Sequence, residues 1–355
     1  MDEVRDIGAV TIPLAAGVVV AGLLGHSFLV AAVALPLSAA ILALCAIRPG
    51  RCTPGIILLY FCLGAFSLAC ATLSRGLTVG MNPLEEPAGR CMAAFTAVID
   101  GIPFQHSGTG DLLKALLTGR RETLDPAVTQ TFRSSGASHI LALSGLHLGV
   151  IYLAVSRILA LAGRSRGAFV FRGAVTVGLC GFYTLMTGAS PSIVRAFIYI
   201  CFNELLRLHP ERRRSPAALL CAALTLQLLF SPEVIGSLGF QLSYLAMCGI
   251  SVLFPVLDGW YPGKRGLMKT IWSSAALSIS CQVFTAPLVW LRFHTFPRYF
   301  LLTNLLALPL TEALMVCALL TVVLSAMGIC PGALVNLTDT ICVWLVKSLE
   351  IISSM

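Results

Sequence analysis

Charge is what this chain has least of. Asp, Glu, Lys and Arg make up only 11% of its 355 residues, against about 25% in a water-soluble domain. An ordinary aqueous surface cannot be built from so few charges, which excludes a soluble globular domain. Chemistry-bearing motifs are also missing. The sequence has no G-x-x-x-x-G-K-[ST] loop and no H-E-x-x-H pair, so it offers neither a phosphate-cradling loop nor a zinc-protease helix. Among its 13 cysteines there is no C-x-x-C pair, which removes the usual zinc and redox spacings. Cys62, Cys70, Cys180, Cys201, Cys221, Cys248 and Cys281 lie inside apolar stretches and read as small buried hydrophobes. No catalytic residue, metal or cofactor is expected.

Apolar length is what the chain has in abundance. Hydrophobic residues are 57% of the total, and the mean hydropathy is +0.89. A spanning helix needs roughly 20 mostly apolar residues, and its backbone groups must be satisfied within the segment or in a closed barrel. The apolar runs are continuous and do not alternate with period two, so the expected fold is all-α: a polytopic transmembrane bundle with broken or kinked helices. The expected spans are 7–25, 28–47, 54–73, 137–161, 168–188, 192–208, 216–231, 236–257, 270–291, 299–326 and 333–352. The N-terminus, Met1 to Asp6, leads straight into the first of these and has no convincing cleavage site. The chain divides into N-terminal transmembrane helices (1–73), a polar insertion (74–133) and a transmembrane core (134–355).

Basic residues in short loops mark the cytoplasmic side. With the N-terminus inside, alternation puts Arg48 and Arg51, Arg164 and Arg166, Arg212 to Arg214, and Lys264 with Arg265 inside, and 74–133 outside. The expected location is therefore a bacterial inner membrane. The basic surplus of those loops accounts for the net charge of +8. The insertion carries as many acids as bases. Net charge is thus no argument for nucleic acid.

Within the insertion, Met92, Phe95, Val98 and Ile99 fall on one helical face, a pattern suited to a membrane surface. Asp111 is placed to cap a helix through Leu112 and Leu117 that ends near Gly119. Asp125-Pro126 opens another short helix. These elements read as a solvated connector or as a docking place for a partner.

Polar groups at membrane depth carry the functional expectations. Ser134 to His147 contains His139, Ser144, Gly145 and His147. In one continuous helix His147 lies about 12 Å deeper than His139, and Ser144 shares its face. These residues either line a path or serve as interhelical glue, and Gly145 is a candidate helix break. In Thr187 to Arg195, Gly188 and Pro191 break the backbone beside Ser190. Arg195 follows one turn inside the next apolar run, either clamping freed carbonyls or meeting a passing anion. Gln241, Ser243, Gln282 before Pro287, and Asn304 before Pro309 complete the set. The two prolines are expected to kink their helices, as broken helices do in translocation pathways.

These clusters, in this order, resemble the membrane "Competence" domain of ComEC-type proteins. The likeness runs from Leu116-Leu117-Thr118-Gly119-Arg120-Arg121 through Phe132 to His147. It continues in Thr187-Gly188-Ala189-Ser190-Pro191-Ser192 with Arg195-Ala196-Phe197, then Ser231-Pro232, then Gly239-Phe240-Gln241-Leu242-Ser243-Tyr244. Ala286-Pro287-Leu288 and Asn304 to Pro309 close it. The resemblance implies an inner-membrane channel that imports single-stranded DNA during natural transformation. It also implies partners: the DNA, membrane lipid, a separate receptor, nuclease and motor ATPase, and further copies of the chain. Many members carry an OB-like domain and a metallo-β-lactamase-like domain, and neither is recognised in this sequence. A channel without its presumed nuclease is the expectation. A polar path of this kind also suits a transporter or channel for a smaller anion. Ser144 with His147 is the minimum for an intramembrane hydrolase, though three-residue spacing on one helix aims the pair poorly.

Overall fold

A computed structural model describes residues 2–25, 52–77, 85–160, 166–208, 215–261, 266–294 and 298–354, with Gly263 and a few positions between 32 and 40. The expected span 28–47 falls largely outside the described residues. So do Arg48, Arg51, Arg164, Arg212, Arg213, Arg214, Lys264 and Arg265.

All regular structure among the described residues is helical. The order is α1 (Asp2–Leu24), α2 (Cys52–Leu77), α3 (Glu85–Asp100), α4 (Thr109–Thr118), α5 (Pro126–Ser134), α6 (Ser138–Leu141), α7 (Gly145–Leu159) and α8 (Arg166–Met186). There follow α9 (Pro191–Leu208), α10 (Pro216–Phe230), a 3-10 turn (Pro232–Gly236), α11 (Leu238–Val252), α12 (Phe254–Gly259), α13 (Leu267–Phe293), α14 (Phe300–Ala326) and α15 (Gly332–Ser353). Among the described residues, five stretches are long and apolar enough to cross a membrane: Ile7–Leu24, Gly167–Met186, Leu238–Gly259, Leu267–Phe293 and Phe300–Ala326. Ile56–Thr72, Gly145–Leu159 and Pro216–Phe230 are shorter apolar helices. This is an all-α polytopic membrane protein. Pro287 and Pro309 lie inside α13 and α14, which continue through them. Each proline withholds the N–H that the carbonyl four residues earlier needs.

The described residues group into two compact units. The first combines Met1–Met81 with Cys201–Ser251 and the second Asn82–Ile200 with Val252–Met355, so the boundary falls inside α9. In the first unit, α1 and α2 approach to backbone contact. A Cβ on Gly17 would collide with the Phe61 carbonyl, and one on Gly64 with the Leu14 carbonyl. Lipid supplies no hydrophobic force between helices, so such small-residue contacts do the packing. Polar groups add to it. The buried Thr11 hydroxyl lies 2.9 Å from that of Thr225 on α10, and the Tyr244 hydroxyl donates to Gln227 Oε1 at 2.9 Å.

The second unit buries the polar insertion in its own core. Leu113 and Leu116 of α4 and Phe132 of α5 are fully buried, together with Ile99 of α3 and Leu314 and Leu345 from α14 and α15. Phe95 and Val98 pack against the same cluster. The apolar face of α3 therefore meets protein, where a membrane surface or a solvated connector was expected. Periodicity marks an apolar face and says nothing about what covers it. Asp125 caps α5 as expected, accepting from Ala127 N–H at 2.8 Å. Asp111 does not cap α4, whose N-cap is Gly108. It pairs with Lys114 at 2.9 Å, and Lys114 also reaches Asp100 at 2.7 Å. The bonds to Asp100 and Asp111 hold the Lys114 ammonium above its ordinary range.

Candidate functional site

Two breaks between helices of the second unit build the site. The first divides what the sequence reads as one span, 137–161. The helix stops at Leu141, Ala142 and Ser144 are extended, and α7 restarts at Gly145. His147 therefore does not sit two turns below His139 on a common helix. His139 is exposed, its Nδ1 lying 3.2 Å from the Gly136 carbonyl oxygen. His147 is fully buried.

Ser144 is the N-cap of α7 and His147 its third residue, and the two close a capping box. His147 Nδ1 accepts from the Ser144 backbone N–H at 3.2 Å and lies 2.9 Å from the Ser144 hydroxyl. An Nδ1 that accepts a backbone N–H carries no proton, so in the neutral ring the proton sits on Nε2. That Nε2–H is buried without a hydrogen-bond partner among the described residues. The spacing of three brings the hydroxyl and the ring together because Ser144 is a cap and not a helical residue.

The second break separates α8 from α9. Gly188 has φ 79° and Ala189 φ 48°. Their N–H groups turn back onto the Leu185 and Thr184 carbonyls at 3.1 and 2.9 Å. Left-handed alanine costs roughly 1 kcal/mol or more, so strain is held at this turn. Ser190 follows, its hydroxyl buried and unpartnered among the described residues, and Pro191 starts α9. One turn on, Arg195 is 9% exposed. Its Nη2 stands 3.5 Å from where a Cβ on Gly145 would be, and Ala196 Cβ stands 3.2 Å from it. A Cβ at Gly145 would press on Ala196, while the Arg195 guanidinium lies at ordinary contact distance from the start of α7. Cys281 of α13 is within the electrostatic reach of the same guanidinium.

Asn304 Oδ1 and the fully buried Thr311 hydroxyl, both on α14, also lack partners among the described residues. They are seven residues apart and so share a face. Thr303, beside them, donates to the Ser135 carbonyl at 2.7 Å and ties α14 to the turn after α5. The structure thus joins Ser144, Gly145, His147 and Arg195 at one helix start, with Ser190 and Asn304 at the beginnings of α9 and α14. Gln241 and Ser243 belong to the first unit. There Gln241 Nε2 donates to the Ile235 carbonyl at 2.9 Å, bracing the turn before α11. A cavity of about 360 Å³ abuts both breaks, lined by Met92, Arg120, Leu143, Met186 and Gly188 among others.

Two features went unread in the sequence. Arg121 Nη2 donates to the Leu141 carbonyl at 2.6 Å, so a carbonyl freed at a helix break is held by Arg121. Asp339 is 2% exposed within α15. It lies 2.6 Å from His106 Nδ1 and accepts from the Thr109 hydroxyl at 2.5 Å. A carboxylate within an apolar run was the available signal for it.

A family match spans most of this arrangement: the family described as Competence protein matches residues 116–355. The chain belongs to the competence protein family. Similar family proteins include ComE operon protein 3 of Bacillus subtilis (strain 168), 25% identical over 198 residues, or 56% of this chain and 24% of that protein. Competence protein ComA of Neisseria gonorrhoeae is 29% identical over 178 residues, 47% of this chain and 25% of that one. An uncharacterized protein of Aquifex aeolicus (strain VF5) is 29% identical over 198 residues, covering 54% and 43%. The chain thus spans less than half the length of each relative. No solved structure matches. The competence match takes in both helix breaks and every expected site residue. His106 and Thr109 precede it.

Proposed function

We propose that this chain forms a hydrated polar path along which single-stranded DNA crosses the bacterial inner membrane during natural transformation. One observation carries the reading. His147 Nε2, Ser190 Oγ, Asn304 Oδ1 and Thr311 Oγ1 are buried without partners among the described residues. Each such atom costs about 1–3 kcal/mol if it stays dry, and buried polar groups in native proteins are almost always bonded. Water, or a polar cargo displacing it, is the partner that removes the cost. Three of the four sit at or near the starts of α7, α9 and α14. Helix starts present positive dipole ends, and Arg195 adds a charge there. An environment of few cations and many neutral donors suits a polyanion that must enter and leave.

The basic loops support a cytoplasmic N-terminus. On this reading a separate receptor, nuclease and motor ATPase act with the channel, and copies of the chain associate. The family match and a relative named as a competence protein support a role in competence. A channel for a smaller anion would use the same residues with a narrower path. The 2.9 Å approach of Ser144 to His147 lends the hydrolase reading more geometry than spacing alone does. The cap explains that approach fully, and among the described residues His147 Nε2 has no carboxylate partner to orient it. A fluorophosphonate probe that labels Ser144 would revive it. The deciding experiment is entry of labelled DNA into the cytoplasm of a deletion strain. Uptake restored by this chain, but not by its Arg195→Leu form at equal abundance, is the expected outcome. No restoration, with small-anion flux present in liposomes, would transfer the reading to the second class.

A further inference from the structure

The cavity beside the two breaks lies where α3, the turn after α4 and the end of α8 meet, all within the second unit. Its volume of about 360 Å³ falls inside the range of roughly 300–1,000 Å³ found for small-ligand sites. The walls are braced. Tyr183 of α8 donates its hydroxyl to the Leu117 carbonyl near the end of α4 across 2.6 Å. Gly119 turns in the left-handed conformation with Leu143 directly against it. At Gly188 the wall is bare backbone, since nothing lies within 4 Å of a Cβ added there.

The cavity is apolar on one side and charged on the other. The apolar span of α8 ends at Met186, so the cavity sits where that helix leaves the hydrocarbon. Leading up to it, Leu179, Phe182 and Leu185 stand three residues apart along one side of α8 and are 47–49% exposed, a surface that faces lipid in a bilayer. Leu185 is itself cavity wall, as is Met92 of α3. The two threonine hydroxyls of the lining are already spent: Thr118 donates to the Lys114 carbonyl at 2.7 Å and Thr187 to the Tyr183 carbonyl at 2.8 Å. The lining side chains left for a polar ligand are Arg120 and Glu122. Both are exposed, and neither side chain makes a hydrogen bond or ion pair among the described residues.

We propose that this cavity holds the headgroup of a membrane phospholipid whose phosphate carries a primary amine, as in phosphatidylethanolamine. Arg120 takes the phosphate, which a guanidinium fork matches in shape. Glu122 takes the ammonium, and one acyl chain runs down α8 over Leu185, Phe182 and Leu179. The carboxylate decides between occupants. A nucleic-acid strand presents phosphates and meets Glu122 as a like charge. A zwitterion, with its two charges a few atoms apart, satisfies both side chains. The site is independent of what the chain transports.

Native mass spectrometry tests it, on the full chain released from nanodiscs of equal phosphatidylethanolamine and phosphatidylglycerol. The wild type should retain phosphatidylethanolamine several-fold over phosphatidylglycerol, which has the phosphate but no amine. Glu122→Gln should bring the two lipids level, and Arg120→Gln should lower retention of both. Ala88→Phe, which fills the cavity and leaves both charges in place, should lower retention as Arg120→Gln does. Arg133→Gln removes an exposed cation outside the lining and should match the wild type. Equal retention of the two lipids by the wild type would overturn the proposal, and so would a preference that survives Glu122→Gln. Binding of a single-stranded oligonucleotide that needs Arg120, with no lipid retained, would assign the cavity to the strand instead.

Discussion

Arg121 donates its guanidinium to the Leu141 carbonyl across 2.6 Å, holding the end of a four-residue helix just before the chain straightens and restarts as α7. Removing that donor leaves a carbonyl of the first break without its partner. Arg121→Gln should destabilise the second unit by about 1 kcal/mol, the usual worth of a partly exposed bond of this kind. Arg121→Lys should recover part of it. Thermal unfolding in detergent measures the order, and equal stability for all three would show that the break needs no clamp.

Arg195 and Gly145 belong to one contact. Arg195→Lys keeps the charge but loses the planar fork, so DNA uptake should weaken by about tenfold, the equivalent of about 1.4 kcal/mol. Arg195→Leu should abolish uptake while membrane abundance stays normal, since leucine is well tolerated in lipid. Gly145→Val should mimic that loss by pushing against Ala196 and the guanidinium. Uptake must be scored beside membrane levels. Normal uptake by Arg195→Leu at normal abundance rules Arg195 out of the path.

At Gly17 and Gly64 the tolerance should be lowest of all. Any side chain there meets the backbone of the facing helix, and backbone cannot rotate away as a side chain can. Gly17→Ala should cost about 1–3 kcal/mol and Gly17→Leu should remove folded protein from the membrane. Gly8, with nothing within 4 Å of its added Cβ, is the control. Comparable abundance of Gly17→Leu and Gly8→Leu would contradict the close approach.

Topology can be read by labelling engineered cysteines with an impermeant maleimide. Position 107, an exposed serine between α3 and α4, should label in intact cells, and position 212 only after permeabilisation. The reverse pattern inverts the whole orientation.

Nuclease activity is not expected from this chain. Among the described residues no group of three His, Cys, Asp or Glu side chains could hold a metal ion. Purified protein should leave single-stranded DNA intact with added divalent cations. Cleavage that disappears on mutating the chain's own residues would refute this.

The legibility of the site follows the range of the forces involved. Gly119 ends α4 in the left-handed conformation, with φ 78°. Asp125 caps α5, and Gly188 with Pro191 breaks the chain between α8 and α9. All were readable because backbone sterics and caps act over a few residues. The break before α7 showed only as a candidate at Gly145, since Ser138 to Leu159 is apolar enough to pass for one helix. The face of α3 was visible, but its burial in a core with α14 and α15 was not.

The sequence by itself determined a helical membrane protein, because backbone groups in so apolar a chain have nowhere else to bond. It also determined where several helices must stop, since glycine, proline and capping side chains fix local dihedrals. Only the tertiary structure decided partners. It set Arg121 on Leu141, aimed Ser144 at His147 across a cap, placed Arg195 against Gly145, and joined His106 to Asp339 across 233 residues. One apolar helix face looks much like another in sequence. Which two meet, and which polar groups they trap between them, depends on the packing of the whole bundle.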